Sequence, residues 1–192
     1  MFFVFIIREL KMSNGSSNLG IVSRGLHWLI AFVMIGMIIF GLYITNTESW
    51  SLMGTHKSIG ALIFVFVVWR LVLRLTCGFP APLGNPPFLQ HLLAIIVHWV
   101  LLLGTVLFPL SGMMMSVMGG RGLSVFGTEI VAANIVDGKS APINESLAGL
   151  ASSIHGILVP VMIAATVLHI IGALYHHFIV KDDTLRRMTG RA

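Results

Sequence analysis

Charge is scarce in this 192-residue chain: 10% of its residues are Asp, Glu, Lys or Arg, against 56% that are hydrophobic. A soluble domain of this size has no interior large enough to hide so much apolar surface, so the bilayer must be the solvent for most of the chain. Cysteine is nearly absent as well. A lone Cys77 excludes an internal disulfide and a cysteine-ligated iron–sulfur cluster, and without a Cys-x-x-Cys-His motif no haem can be attached covalently. The features of a signal peptide are also missing. The opening MFFVFII is short, runs into Arg8, Glu9 and Lys11, and is followed by no small-residue cleavage site. We read residues 1–18 as an interfacial or disordered N-terminal extension and 19–190 as one membrane domain.

What the chain does have is four long apolar runs, roughly 25–45, 56–75, 90–115 and 152–179, each close to the ~20 residues that a spanning helix needs. They predict an all-α fold, a bundle of four transmembrane helices with almost nothing left for a soluble domain. The stretch CGFPAPLGNPP, 77–87, is too rich in proline and glycine to continue a helix and reads as the connection between the second and third spans. The segment 119–150 is the longest connection, on the opposite side. Pro109 and Pro160 fall inside the third and fourth spans, where they are expected to kink the helices.

Cations at the helix ends set the orientation. One side carries nine (Arg8, Lys11, Arg24, Arg70, Arg74, Lys181, Arg186, Arg187 and Arg191) and the other three (Lys57, Arg121 and Lys139). The positive-inside rule then puts both termini in the cytoplasm, and the net charge of +5 reflects membrane topology, with no nucleic acid implied.

Eight histidines are present, most of them inside or at the lips of the spans, where polar groups are costly and usually functional. Neutral imidazole is also the usual protein ligand of haem iron. On the fourth span, His155 and His169 are fourteen residues apart, about 21 Å along a helix and close to four whole turns. Both rings therefore project from one face at two depths, and His176, seven residues on, falls near the same face. Two bis-imidazole haems would need a partner histidine at each depth. At the outer depth His56 is the only other candidate and pairs with His155. At the inner depth His27 on the first span and His98 on the third can each face His169, and depth does not choose between them. His91 and His177 read as headgroup-level residues, and the 11 methionines as apolar packing.

The segments RGLHWL, GTHKSIGALIFVFVVWRLVLRL, HWVLLLGTVLFPLSGMMM and IHG…VLHIIGALYHHFIVKDDTLRRM resemble the bacterial cytochrome b561 family over residues 19–190. The likeness is most specific at His169, His176, His177, Lys181, Asp182, Thr184, Leu185 and Met188. It implies a four-helix inner-membrane cytochrome with two haem b groups, ligated from the first, second and fourth helices. Carried onto this chain, it makes His27 the inner partner of His169 and His56 the outer partner of His155. It also leaves His98 off the iron, near haem propionates or a quinone, and puts His176 at the quinone site, with Lys181 and Arg74 as its expected partners.

The function so implied is transmembrane electron transfer, superoxide being oxidised outside and ubiquinone reduced inside, with Lys57, Arg121 and Lys139 positioned to attract the anion or serving as ordinary loop cations. Two alternatives stand beside it. One is a cytochrome b subunit that passes electrons between a partner dehydrogenase or hydrogenase and the quinone pool. The other is a non-redox transporter with His and Met along a metal path.

Overall fold

Inside a bilayer every backbone N–H and C=O has to be paired within the chain, and a helix does this locally. The computed structural model describes residues 20–80 and 82–190 and meets that demand with four long helices. These are α1 (Ile21–Asn46), α2 (Met53–Cys77, entered through a 3-10 turn at Trp50–Leu52), α3 (Phe88–Met118) and α4 (Glu145–Tyr175). All four are long and apolar enough to cross a membrane. The expected bundle is the observed one: the first three helices run past their expected apolar runs at both ends, and the fourth starts earlier than expected and gives way to a π turn at His176. The N-terminal extension 1–18 lies outside the described residues, as does Arg191.

The helix ends follow local chemistry. Thr47 closes α1, its N–H and its hydroxyl both donating to the Tyr43 carbonyl at 3.0 and 2.7 Å. Gly78 stops α2 at φ +75°, a conformation that glycine adopts without steric cost. Asn144 caps α4, its side-chain oxygen accepting from the Leu147 N–H at 3.0 Å, with Glu145 in the favourable first turn. Pro109 and Pro160 do lie within α3 and α4.

Beyond α4 the chain widens into a π turn, His176–Val180, turns at left-handed Lys181 (φ +60°) and forms a short helix α5 (Thr184–Thr189). This tail returns to the start of α1. Trp28 Nε1–H donates to the Met188 carbonyl at 2.9 Å, and Gly190 lies against the Arg24 guanidinium. The start of α1 and the chain's last described residues thus share one end of the bundle, here called the inner end.

The connection at the opposite, outer end is more ordered than the sequence suggests. It ends at Asn144, earlier than the expected 150, and holds two hairpins: β1 (Leu123–Val125) with β2 (Thr128–Val131), and β3 (Ile135–Val136) with β4 (Lys139–Ser140). Each turns through two residues at positive φ, Phe126-Gly127 and Asp137-Gly138, the requirement of a tight hairpin. Buried Ser58 on α2 fastens the first hairpin. Its hydroxyl accepts from the Phe126 N–H at 2.9 Å and donates to the Gly54 carbonyl at 2.8 Å.

Consecutive helices are neighbours: α1 packs on α2, α2 on α3 and α3 on α4. At mid-height Ile30, Met34 and Ile38 of α1, Ile63 and Val67 of α2, Phe108 of α3 and Met162 of α4 form one buried apolar cluster. The approach of α3 to α4 depends on Gly104, where an added Cβ would overlap the sulfur of Met162, itself 1% exposed. We expect Gly104→Leu to destabilise the protein by about 1–3 kcal/mol through overpacking, read as a lower midpoint of thermal unfolding in detergent. Combining it with Met162→Ala should recover most of the loss.

Candidate functional site

The fourteen-residue interval seen on α4 recurs on every helix. It separates His27 from Gly41 on α1, His56 from Arg70 on α2, His98 from Gly112 on α3 and His155 from His169 on α4. Because successive helices run in opposite directions, these positions sort into two levels. The outer level holds Gly41, His56, Gly112 and His155. The inner level holds His27, Arg70, His98 and His169.

At the outer level each histidine is packed against a glycine of the neighbouring helix. A Cβ on Gly41 would stand 3.1 Å from His56 Cε1, and one on Gly112 would stand 3.1 Å from His155 Cε1. The two histidines are within electrostatic reach of each other. His155 Nδ1 is 3.0 Å from the Phe108 carbonyl and 3.1 Å from the Ser111 hydroxyl. A carbonyl only accepts, so Nδ1 carries the proton and Nε2 keeps its lone pair, the tautomer a metal-ligating histidine uses. His56 Nδ1 is buried without a hydrogen-bond partner among the described residues. Nearby, Lys57 donates to the Ser116 hydroxyl at 3.2 Å, and that hydroxyl donates to the Gly122 carbonyl at 2.6 Å. Arg121 is in electrostatic range of Lys57, and it and Lys139 are exposed.

At the inner level His169 has two aromatic neighbours, His27 with ring centroids 6.0 Å away and His98 with centroids 5.3 Å away, both edge-on. Ring distance therefore leaves the same choice that depth left. The surroundings differ: His27 is half-buried, whereas His98 is exposed and stacked on Phe79 of the inner connection at 5.9 Å. Arg70 Nη2 lies 3.2 Å from His27 Nδ1. Arg74 does not partner His176, contrary to expectation. It donates to the Ser23 hydroxyl at 2.6 Å and the Gly78 carbonyl at 3.2 Å.

The side chain of Lys181 is not the partner of the His176 ring either, because the left-handed turn at Lys181 carries it to an exposed position. The same turn brings Asp182 back, and Asp182 Oδ2 lies 2.6 Å from His176 Nδ1 while Gln90 Nε2 lies 3.1 Å from His176 Nε2. With Nδ1 donating to the carboxylate, Nε2 accepts from the Gln90 amide, a consistent neutral tautomer. Burial pushes the Asp182 carboxyl up, but hydrogen bonds from Thr184 and His176 outweigh it and hold the carboxyl below its ordinary value. Its stabilising contribution is thus present above the ordinary value of 3.8 and is lost as pH falls through the lower, folded value.

Sequence reading missed Arg70, Gln90, Asp182, Gly41 and Gly112 as parts of the site. The interval that linked His155 to His169, applied to the other helices, finds three of them.

These side chains suit haem iron: neutral imidazoles at matched depths, one with its tautomer fixed for ligation, one with an unpartnered buried nitrogen, and glycines where bulk would collide. A family model described as prokaryotic cytochrome b561 matches residues 18–191. The chain belongs to that family. It is similar to cytochrome b561 homolog 2 of Escherichia coli strain K12, 32% identical over 95% of this chain and 97% of the relative. It is also similar to a probable superoxide oxidase, CybB, of Yersinia pestis, 27% identical over 85% of this chain and 91% of that protein. A third relative, cytochrome b561 homolog 1 of E. coli K12, is 26% identical over 86% of this chain and 93% of its own length.

This b561 protein is therefore a multi-pass protein of the bacterial inner membrane that binds haem b and carries electrons across the membrane. The metal-transporter reading falls away with that membership. Gly112→Val should lower the haem b bound per chain, measured by pyridine haemochrome. Gly36→Val should leave it unchanged, since nothing lies within 4 Å of a Cβ there.

Proposed function

We propose that this cytochrome b561 is a dihaem superoxide:ubiquinone oxidoreductase, with both termini cytoplasmic and residues 19–190 forming its one membrane domain. The observation that carries the reading is the pair of imidazole levels on α4, each met by histidine from another helix and separated by the buried cluster around Met162. His56 with His155 and His27 with His169 would each hold a haem b, which when bound would supply one-electron transfer across the bilayer. For the inner pair, the greater burial of His27 supports it as the ligand. His98, exposed and stacked on Phe79, suits a place beside the propionates or the quinone.

Outside, Lys57 and Arg121 form a cationic approach to the outer level, favourable to superoxide. Each of two superoxide anions gives up one electron and leaves as dioxygen. Inside, ubiquinone takes the two electrons and two protons and leaves as the quinol. His176 is the group we assign to proton delivery. Asp182 holds its Nδ1 and stabilises the imidazolium, and Gln90 orients its Nε2 edge. The similarity to a probable superoxide oxidase supports the choice of donor.

His155→Ala should remove one haem and leave the other, read by haem quantification, and retention of both would refute the outer pair. Purified protein should reduce ubiquinone in step with a superoxide source. Haems that respond to quinol but not to superoxide would remove that donor, and a copurifying dehydrogenase would mark a subunit of a larger complex instead. His176→Asn should slow quinone reduction by about 10² with haem content unchanged, whereas Asp182→Asn should slow it less.

A further inference from the structure

Arg70 and Arg74 lie within the membrane-spanning part of α2, one turn apart, with no carboxylate paired to either among the described residues. The described carboxylates at the inner end are engaged elsewhere, Asp182 with His176 and Thr184, and Asp183 with Arg186 at 3.2 Å. Arg74 is satisfied by neutral oxygens of Ser23 and Gly78. Arg70 is not: among the described residues its Nη1 is buried without a partner, and its Nη2 reaches only His27 Nδ1. A cation inside a bilayer without a counter-charge is expensive, and a guanidinium is shaped to hold two oxygens of a carboxylate or phosphate.

The contact with His27 sharpens the point. A guanidinium only donates, so His27 Nδ1 accepts from Arg70 and the ring proton sits on Nε2. Ligation of iron through Nε2 requires the opposite tautomer, with the proton on Nδ1. Arg70 and iron therefore compete for this ring, and an anionic oxygen that draws the guanidinium away resolves the competition.

We propose that Arg70, supported by Arg74, is a binding site for an anionic oxygen group at the inner level, that the group is a propionate carboxylate of the inner haem, and that taking it releases His27 Nδ1. This rests on the reading of His27 and His169 as the inner pair. It adds an arginine whose task is to couple propionate binding to the tautomer of a ligand histidine.

The test uses the purified holoprotein. Arg70→Leu should speed transfer of one of the two haems to excess apomyoglobin by about tenfold or more, as expected for loss of an outer-shell partner of a ligand. It should also shift the propionate-bending band in resonance Raman spectra. Arg70→Lys should restore much of the retention, and Arg74→Leu should give a smaller change in the same direction, which keeps the test informative if Arg70→Leu fails to fold. An unmoved propionate band with unchanged haem retention would overturn the proposal. So would loss of a copurifying anionic phospholipid from Arg70→Leu with the propionate band unmoved, since the oxygen would then belong to a lipid phosphate. His27→Ala separates the two readings: if it keeps both haems, the inner-pair assignment fails and not the arginine site alone.

Discussion

A polar ring in hydrocarbon must find its partner inside the protein, and in this chain that requirement is met at one repeated interval. Fourteen residues are close to four α-helical turns, so residues that far apart on a straight helix share a face. Antiparallel neighbours that keep the interval bring their polar or small residues to the same two heights. The rest of the molecule follows from that register. The outer height alternates imidazole with glycine, the inner height gathers three imidazoles and a guanidinium, and the buried cluster between them is apolar.

The apolar middle is as important as the polar levels. Ile30, Met34, Ile38, Ile63, Val67, Phe108 and Met162 put no ionisable group at mid-height, and the Thr105 hydroxyl at that height donates to the Leu102 carbonyl of its own helix at 2.9 Å. Met162 lies seven residues from both His155 and His169, halfway between the levels. Electrons can tunnel past such a barrier, whereas protons need donors and acceptors in sequence. In the proposed reaction the protons for the quinol therefore have to come from the inner end, where His176, Asp182 and Gln90 form a hydrogen-bonded chain at the membrane surface.

Much of this was legible in the sequence because bilayer constraints are severe. Four apolar runs could be little else than four spans, and their number and cation bias fix which ends lie together. The depths of His56, His155 and His169 followed from helical rise alone. The inner partner of His169 did not, since His27 and His98 stand at nearly the same height and differ in burial, which periodicity does not register. The partners of His176 were missed because the helix was expected to end plainly. The π turn and the left-handed Lys181 reverse the chain and exchange the expected Lys181 for Asp182. The outer hairpins were passed over as a connection, although Asp137-Gly138 carries a hairpin signature. Arg70 was counted only as a cation at a helix end, a role that hid its place at the inner level.

Ser58 and Lys57 follow His56 directly, and both are tied to the outer cap: Ser58 to the first hairpin, Lys57 through Ser116 to Gly122. The histidine at the outer level is thus not carried by a free helix end. Its orientation is mechanically continuous with a small, water-facing structure about two strands wide. A push on that hairpin is a push on the ring, even where the loop touches no reactant.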